Sequence, residues 1–357
     1  MKDRANIIVM GGSFNPPTIA HLRLLRAAME ALNAEAGYFV PVSHAYLKRK
    51  MVRVGCGHLC VPVETRLEML RAMTADDAQI HIDEGDLQEP FSITPRTMER
   101  VQQRHPEARI WFVLGEDKLE LLESMTRKWA FLPRFGAVVF ARGGDLERRI
   151  AENEVLSPCR KAIAVVEPPA NIEGVSSTAV REYLFDPGAV ADMLHPSVLA
   201  LLRRLNPSDY PEEIIAFKGE WAFLGNDYPS PVTFEGIGFP SAESAFQASK
   251  SDDGAVRRQF AKLGRDKVRR RGNRLTTRPG WEDGKVDIMK TIVRQKFLQN
   301  PELIEPLLAT GNRRLIHGGD GMNDTFWGVN TVIWEGENQL GRILMALRKE
   351  LGKEMSE

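Results

Sequence analysis

The sequence predicts an α/β protein in which a Rossmann-like part with a parallel sheet precedes a mainly α (α+β) part. At 357 residues the chain is long for a single hydrophobic core. Up to about residue 205, short β-branched or aromatic runs alternate with amphipathic stretches. This alternation is typical of βαβ units, which form parallel sheets with right-handed crossovers. Beyond that point, helical patterns dominate.

Six apolar runs are expected to form the strands of the sheet, with helical periodicity between them. The helix after the first strand places Leu22, Leu25 and Met29 on one face. The expected strands cover residues 7–10, 37–42, 79–82, 110–114, 137–140 and 162–166, and the expected helices cover 21–33, 63–73 and 95–104.

A change of pattern near residue 205 predicts a domain boundary. Residues 205–211 combine two prolines with turn-forming residues directly after a helix. We therefore expect one domain over residues 1–206 and a second over residues 207–357. In the second domain, helices are expected at 242–250, 283–299 and 339–351.

Composition limits the classes of function. The chain is 43% hydrophobic and has a formal net charge of zero, which argues against a general binder of nucleic acid or of anionic membranes. Its three cysteines favour a reducing compartment over a disulfide framework. Cys56, His58 and Cys60 lack a second ligand pair nearby, so no metal site is expected. With no run near the ~20 apolar residues of a membrane helix and no signal-peptide pattern, we expect a cytoplasmic protein.

A phosphate-binding loop is predicted directly after the first strand. Gly11 and Gly12 let the backbone turn sharply and bring its N–H groups close to a ligand. The helix that follows offers further N–H groups and a partial positive charge. Thr18 and His21 lie three residues apart on its first turn and therefore on one face of the helix. Taken alone, His21 could equally be a histidine that caps the helix or packs against it.

A second motif lies at residues 175–181. Ser176, Ser177 and Thr178 are helix-capping residues, and Arg181 follows within the first turns of the helix. Hydroxyls, backbone N–H groups and a guanidinium would together grip a triphosphate. The alternative is a capped surface helix without a ligand.

Together the two motifs resemble those of the nicotinamide/nicotinate mononucleotide adenylyltransferases, particularly the eukaryotic type. The first matches the signature Gly-x-Phe-x-Pro, followed by His or Thr, two residues and His, as Gly-Ser-Phe-Asn-Pro with Thr18 and His21. The second, Val-Ser-Ser-Thr-Ala-Val-Arg, is similar to Ile-Ser-Ser-Thr-x-x-Arg. The resemblance covers roughly residues 5–205, and it is also carried by residues 41–48, Arg66, 92–98, 115–117 and Trp129.

The resemblance implies attack by a mononucleotide phosphate on the α-phosphorus of ATP, with release of pyrophosphate and with Mg²⁺ bridging the triphosphate. Catalysis would consist of positioning and charge stabilisation, with His21, Thr18 and Arg181 as the catalytic residues. The residues expected at the ATP phosphates are Gly12, Ser13, Phe14, Lys48, Arg142, Ser176, Ser177 and Thr178, and those expected at the mononucleotide are Thr94, Asp117 and Trp129.

From about residue 214 the chain resembles the NADAR superfamily, which includes the N-glycosidase of riboflavin-pathway intermediates and hydrolases of ADP-ribosylated guanine. Blocks at residues 223–232, 239–248, 278–297 and 324–341 carry the match in order. Asp227, Ser244 and His317 depart from the family, which usually has Phe, His and an acidic residue at these positions.

Cleavage of an N-glycosidic bond passes through an oxocarbenium-like state. Such a site needs a carboxylate that stabilises the cation or activates water, and aromatic walls that hold a base. Glu243 and Asp324 are the candidate catalytic acids, and Asn226, Trp281 and Trp327 are the expected pocket residues. Outside the matching blocks, Glu243 would be interpreted as a helix-start carboxylate and Asp324 as a turn cap.

We therefore expect a bifunctional enzyme of NAD metabolism that acts on ATP, a pyridine mononucleotide and an ADP-ribose-, NAD- or riboflavin-intermediate-type ligand. Two alternatives remain open: the second domain senses NAD or ADP-ribose without turnover, or the first domain adenylylates another phosphate acceptor. The Arg-rich run at 265–278 is interpreted as a solvated helix face. The pyridine base preference and the oligomeric state, a homo-oligomer included, are left open.

Overall fold

The computed structural model describes residues 4–89, 91, 93–141, 145–319 and 322–354. Its contacts divide the chain between Tyr210 and Pro211 into two compact units. Among the described residues, no helix is both long and apolar enough to cross a membrane.

A six-stranded parallel sheet forms the centre of the first unit, which confirms the predicted Rossmann-like class. Its strands are β1 (Asn6–Gly12), β2 (Ala36–Pro41), β3 (Ile80–Ile82), β4 (Arg109–Gly115), β5 (Gly136–Phe140) and β6 (Ile163–Val166). They lie in the order β3-β2-β1-β4-β5-β6, and every neighbouring pair is parallel. All six overlap the apolar runs that predict strands.

Helices cover both faces of this sheet. They are α1 (Ile19–Ala31), α2 (His44–Arg53), α3 (Val63–Met73), α4 (Thr94–Arg104), α5 (Leu119–Trp129), α6 (Phe131–Arg134), α7 (Leu146–Glu152), α8 (Ser177–Glu182) and α9 (Pro196–Leu202). The sequence predicts α1, α3 and α4 but misses α2, because only Leu47, Lys48 and Met51 of this cationic helix are buried.

Two cores lie on opposite sides of the sheet. In β1, Ile7 and Val9 pack into one core, and Ile8 and Met10 pack into the other. Successive side chains of a strand point to opposite faces, so a strand covered on both faces appears as an unbroken apolar run. This explains why residues 7–10 predict a strand without alternation.

The second unit is helix-rich with small two-stranded sheets, as predicted for the α+β part. Its helices are α10 (Ala242–Ala248), α11 (Gly254–Phe260), α12 (Arg265–Gly272), α13 (Trp281–Gln299), α14 (Ile304–Ala309) and α15 (Gln339–Glu354). Its strands are β7 (Glu213–Ile215), β8 (Val232–Phe234), β9 (Ile237–Phe239), β10 (Arg314–Ile316), β11 (Gly318–Gly319) and β12 (Val329–Asn330). They pair as β10-β7, β11-β12 and β8-β9. A separate aromatic and aliphatic core holds this unit together.

Candidate active sites

The first candidate site lies where the strand order of the parallel sheet reverses. β1 pairs with β2 on one side and with β4 on the other. In open α/β sheets, ligands bind outside the carboxyl ends of the strands at such a switch point. The loop after Gly12 and the turn Glu116–Lys118 after β4 both lie at this edge. The glycine loop and the 115–117 segment are therefore neighbours in the fold.

The loop after β1 is held by buried polar side chains. Asn15 is fully buried; its Nδ2 donates to the Leu59 carbonyl oxygen at 2.9 Å, and its Oδ1 accepts from the Val61 N–H at 2.8 Å. The guanidinium of Arg66, also fully buried, donates to the Ser13 carbonyl oxygen at 2.7 Å. Because its polar groups are paired within the protein, the loop is shaped before any ligand arrives.

Gly12 and Phe14 fit together closely at the start of this loop. Phe14 is buried with a positive φ of 43°. A Cβ at Gly12 would lie 2.8 Å from its ring, so no other residue fits there without displacing Phe14. Both predicted residues thus shape the backbone of the loop.

His21 and Thr18 form a reciprocal pair at the N-terminus of α1. The Thr18 N–H donates to His21 Nδ1 at 3.0 Å, and Thr18 Oγ1 lies 2.8 Å from the same nitrogen. Burial, reinforced by the positive charge of Lys50, lowers the pKa of His21 to about 4, although a hydrogen bond with Thr18 opposes the shift. At neutral pH the imidazole is therefore uncharged. Since Nδ1 accepts the backbone proton, Nε2 carries the hydrogen that remains available to a ligand.

The second motif packs directly against the first loop. Ser177 Oγ donates to the Pro16 carbonyl oxygen at 2.7 Å, across 161 residues of sequence. Arg181 Nη1 donates to the Asn15 carbonyl oxygen at 2.9 Å, and its Nη2 donates to Thr178 Oγ1 at 2.9 Å. The two sequence motifs are therefore one structural assembly.

Two further residues predicted at the phosphates form hydrogen bonds within their own parts of the chain. Ser176 Oγ caps α8 by accepting from the Ala179 N–H at 3.1 Å. Lys48 is buried and its Nζ donates to the Gly57 carbonyl oxygen at 2.6 Å. Arg142 lies outside the described residues.

The residues predicted at the mononucleotide lie on three different elements of the first unit. Thr94 is the first residue of α4. Asp117 lies in the turn after β4, where its Oδ2 is 2.8 Å from the Lys118 Nζ. Trp129 ends α5 with 47% of its surface exposed, so this large aromatic ring remains open to a ligand.

The second candidate site is a cavity of about 790 Å³ within the second unit. All five C-terminal residues predicted from sequence line it: Asn226, Glu243, Trp281, Asp324 and Trp327. They come from four separate segments, since Asp324 and Trp327 share one turn, and the fold of this unit brings them together. The volume is in the range of small-molecule sites in proteins.

Glu243 is anchored through one of its two carboxylate oxygens. Every residue of α10 is buried. Glu243 Oε1 accepts from Gln247 Nε2 at 3.0 Å and from Arg269 Nε at 3.1 Å. Within the described part of the chain, Oε2 has no hydrogen-bond donor, and it is not buried. The charge of Glu243 raises the pKa of Arg269, against the effect of burial. One oxygen is thus fixed, while the other is accessible on a residue that lines the cavity.

Aromatic rings also line the cavity. The ring of Phe246 lies 5.2 Å from Trp281 and 5.2 Å from Trp327, edge-on to the latter. Asp324 Oδ1 accepts from the Trp327 N–H at 3.1 Å, so this carboxylate caps the turn that carries the tryptophan. Asp324 therefore caps the turn, as expected from the sequence, and also lines the cavity.

Two of the three departures from the family line the cavity. Asp227 Oδ2 accepts from Arg265 Nε at 3.0 Å, and although burial opposes it, this ion pair lowers the pKa of Asp227. Burial lowers the pKa of His317, and the nearby Arg269 adds to the shift. Ser244 is buried and bonded to Ser241 Oγ instead.

The interpretation of residues 265–278 as a solvated helix face leaves out a second role of two arginines. Arg265 and Arg269 are one turn apart on α12, and both line the cavity while pairing with its acids. Their side chains keep 68% and 64% of their surface exposed, which is why a polar run of this kind looks like an ordinary solvated face. Helical spacing of four residues was the signal that could have separated them from their neighbours.

Lys296 is a buried residue whose place sequence reasoning missed. Its Nζ donates to the Phe223 and Gly225 carbonyl oxygens at 2.6 and 2.8 Å. Burial lowers its pKa to about 7, while the charge of Asp227 opposes the shift. Lys296 thus fixes the loop that ends in Asn226. The matching block at residues 278–297 contained it, but nothing in the pattern indicated burial.

Two family models match the chain: a cytidylyltransferase-like model over residues 9–183 and a NADAR domain model over residues 212–352. A probable nicotinate-nucleotide adenylyltransferase of Clostridium botulinum is 27% identical over 184 residues, 49% of this chain and 85% of that protein. The N-glycosidase YbiA of Shigella flexneri serotype 5b is 34% identical over 138 residues, 38% of this chain and 84% of that protein. These matches support adenylyltransferase-like and N-glycosidase-like functions for the two halves.

Two further proteins are similar over part of the chain. The riboflavin biosynthesis protein VVA0006 of Vibrio vulnificus is 42% identical over 135 residues, 36% of this chain; the match spans only 35% of that protein. A structure of the Plasmodium falciparum nicotinic acid mononucleotide adenylyltransferase, complexed with NaAD, aligns with 58% of this chain and 98% of its own at 17% identity and a TM-score of 0.43.

Proposed function

Since the chain belongs to the NADAR domain family and its N-terminal half matches the cytidylyltransferase-like family, we propose that it is a bifunctional enzyme of NAD metabolism. The first unit transfers AMP from ATP to nicotinamide or nicotinate mononucleotide and releases pyrophosphate. The second unit hydrolyses the N-glycosidic bond of an ADP-ribosyl or riboflavin-intermediate nucleotide. The joining of two distant motifs at one sheet edge carries the first half of the proposal.

In the first reaction, an oxygen of the mononucleotide phosphate forms a bond to the α-phosphorus of ATP. The bond from that phosphorus to the bridging oxygen breaks, and pyrophosphate leaves with the electron pair. No side chain needs to act as nucleophile, so the protein contributes position and charge. The Nε2–H of His21, the N-terminus of α1 and the guanidinium of Arg181 would donate to phosphoryl oxygens.

Further residues would complete this site. Thr18 orients His21, and Ser176 is a further candidate for the phosphates. Thr94, Asp117 and Trp129 would hold the mononucleotide, with the exposed indole stacking on the pyridine ring. We treat Mg²⁺ as part of the substrate MgATP. An ion held by phosphate oxygens fits a site whose donors are mainly N–H groups and hydroxyls.

In the second reaction, the oxygen of water bonds to the anomeric carbon while the carbon–nitrogen bond breaks. The bonding electrons pass to the base nitrogen, which takes up the proton that water releases. The open Oε2 of Glu243 would stabilise the cationic sugar or accept the proton of water, because Oε1 is already engaged. Asp324 would assist as a second acid, while Asn226, Trp281 and Trp327 hold the base.

The first half is tested by measuring pyrophosphate release from ATP with nicotinamide or nicotinate mononucleotide, beside a His21→Ala control. Release that requires the mononucleotide and disappears in the control is expected. Release only with another acceptor, such as phosphopantetheine, would replace the proposed substrate. The second half is tested by release of free base from ADP-ribosylated guanine and from a riboflavin-pathway intermediate.

A sensor without turnover is the second candidate for the C-terminal unit. Asp227, Ser244 and His317 favour it, because they replace the residues usual in the family. Calorimetric binding of ADP-ribose to the full chain, together with base release by wild type and Glu243→Gln, separates the two. Binding with no base release from either substrate would favour the sensor.

A further inference from the structure

Helix α2 carries two lysines that point in different directions. Lys48 and Lys50 are two residues apart, and residues at this spacing do not share a helix face. The Nζ of Lys48 is buried against the Gly57 carbonyl oxygen. The Nζ of Lys50 instead donates to Ser13 Oγ at 3.3 Å, across the loop after β1.

Lys50 lies among other cationic groups. Partial burial lowers its pKa, and the charges of Arg181 and Lys118 lower it further. Lys50 in turn contributes to the low pKa of His21. Within the described part of the chain, neither Lys50 nor Arg181 forms an ion pair with a carboxylate. The charges of Lys50 and Arg181 repel each other, and a polyanion between them would remove that repulsion. Lys118 is already paired with Asp117.

We propose that Lys50, not Lys48, is the lysine of α2 that binds the triphosphate of ATP. This proposal rests on one part of the proposed adenylyltransferase function, namely that the first unit binds ATP. The hydrogen bond from Lys50 Nζ to Ser13 Oγ is long, and the hydroxyl is uncharged. A phosphoryl oxygen can therefore replace Ser13 Oγ as the acceptor without breaking an ion pair. The flexible four-carbon stem of lysine allows Nζ to follow the phosphates.

Binding of MgATP and of inorganic tripolyphosphate to the full chain by calorimetry tests this assignment. Lys50→Met should weaken both by roughly 10- to 100-fold, the range for losing a hydrogen bond to a charged group. Arg53→Met is the matched control, since it removes an exposed cation from the last residue of the same helix. It should change either affinity less than about twofold. Lys50→Arg should retain most of the binding.

The outcomes separate this proposal from the proposed function. Unchanged tripolyphosphate binding by Lys50→Met, or an equal loss in Arg53→Met, overturns the assignment. If Lys50→Met loses binding but wild type transfers AMP to neither pyridine mononucleotide, the assignment stands and the proposed acceptor fails. If wild type binds neither MgATP nor tripolyphosphate, both fail. Lys48→Met, followed by thermal melting, is expected to lower stability because a buried hydrogen bond is lost.

Discussion

The two units build their candidate sites in different ways. In the first, most of the site comes from two continuous motifs whose backbone and hydroxyl groups meet at one sheet edge. In the second, acids, arginines and aromatic rings from five separate segments surround one cavity. A site made largely of backbone geometry tolerates change around it, whereas a site made of side chains changes its chemistry with each substitution. We therefore expect the departures at Asp227 and His317, which line the cavity, to change its chemistry.

The largest expected effect is that of Glu243→Gln. The amide cannot carry the negative charge that an oxocarbenium-like state requires, so base release should fall by roughly 10²–10⁴-fold. An unchanged melting temperature of the variant serves as the folding control. Base release close to the wild-type rate would remove Glu243 from the reaction and favour Asp324.

His21→Ala should lower pyrophosphate release by about 10²–10³-fold, as for loss of one preorganised donor to a developing charge. Because burial lowers the pKa of His21 to about 4, the imidazole is neutral throughout the physiological range and gains its proton only as the pH falls to about 4. The ratio of wild-type to variant rates should therefore not change across neutral pH. If this ratio instead changes with pH and the change has its midpoint near pH 7, the histidine titrates during catalysis.

Arg269→Met should reduce the rate of base release by about 10- to 100-fold, because a misplaced catalytic group loses up to about two orders of magnitude. The variant leaves Glu243 Oε1 with only the Gln247 donor. Arg270→Met, at the next residue of α12, is the matched control and should be close to wild type. Equal losses in both variants would indicate a general effect of charge at the cavity mouth.

The smallest effect is expected from Trp129→Ala. Removing one stacking ring should raise KM for the mononucleotide about tenfold, within the usual cost of losing aromatic stacking on a base. Since nearly half of the side chain is exposed, the melting temperature should change little. A lower melting temperature with unchanged KM would mean that the indole packs rather than binds.

Much of the first unit is predictable because its signals are local. A buried parallel strand needs an unbroken apolar run, so residues 7–10 and 110–114 are recognisable alone. The loop after β1 is recognisable because glycines, prolines and a helix start follow one another. By contrast, α2 has few apolar residues, and nothing local indicates that Lys48 is buried or that Lys50 is not.

In the second unit, local patterns identified residue types but not their partners. Glu243, Trp281 and Trp327 are recognisable within their sequence blocks. That Arg269 binds one oxygen of Glu243 depends on the packing of α12 against α10, across 26 residues of sequence. The same packing places the exposed side chains of Arg265 and Arg269 in the lining of the cavity.

The sequence by itself determined the parallel sheet and the two motifs, because these follow from periodicity and from short spacings along the chain. The candidate acids of the second unit followed from its resemblance to the NADAR family. Tertiary structure alone decided that Arg181 donates to the backbone of Asn15, which of two lysines reaches the loop, and which oxygen of Glu243 stays open. Such choices depend on burial and on contacts between distant segments. Neither is encoded within a single turn of helix or a single strand.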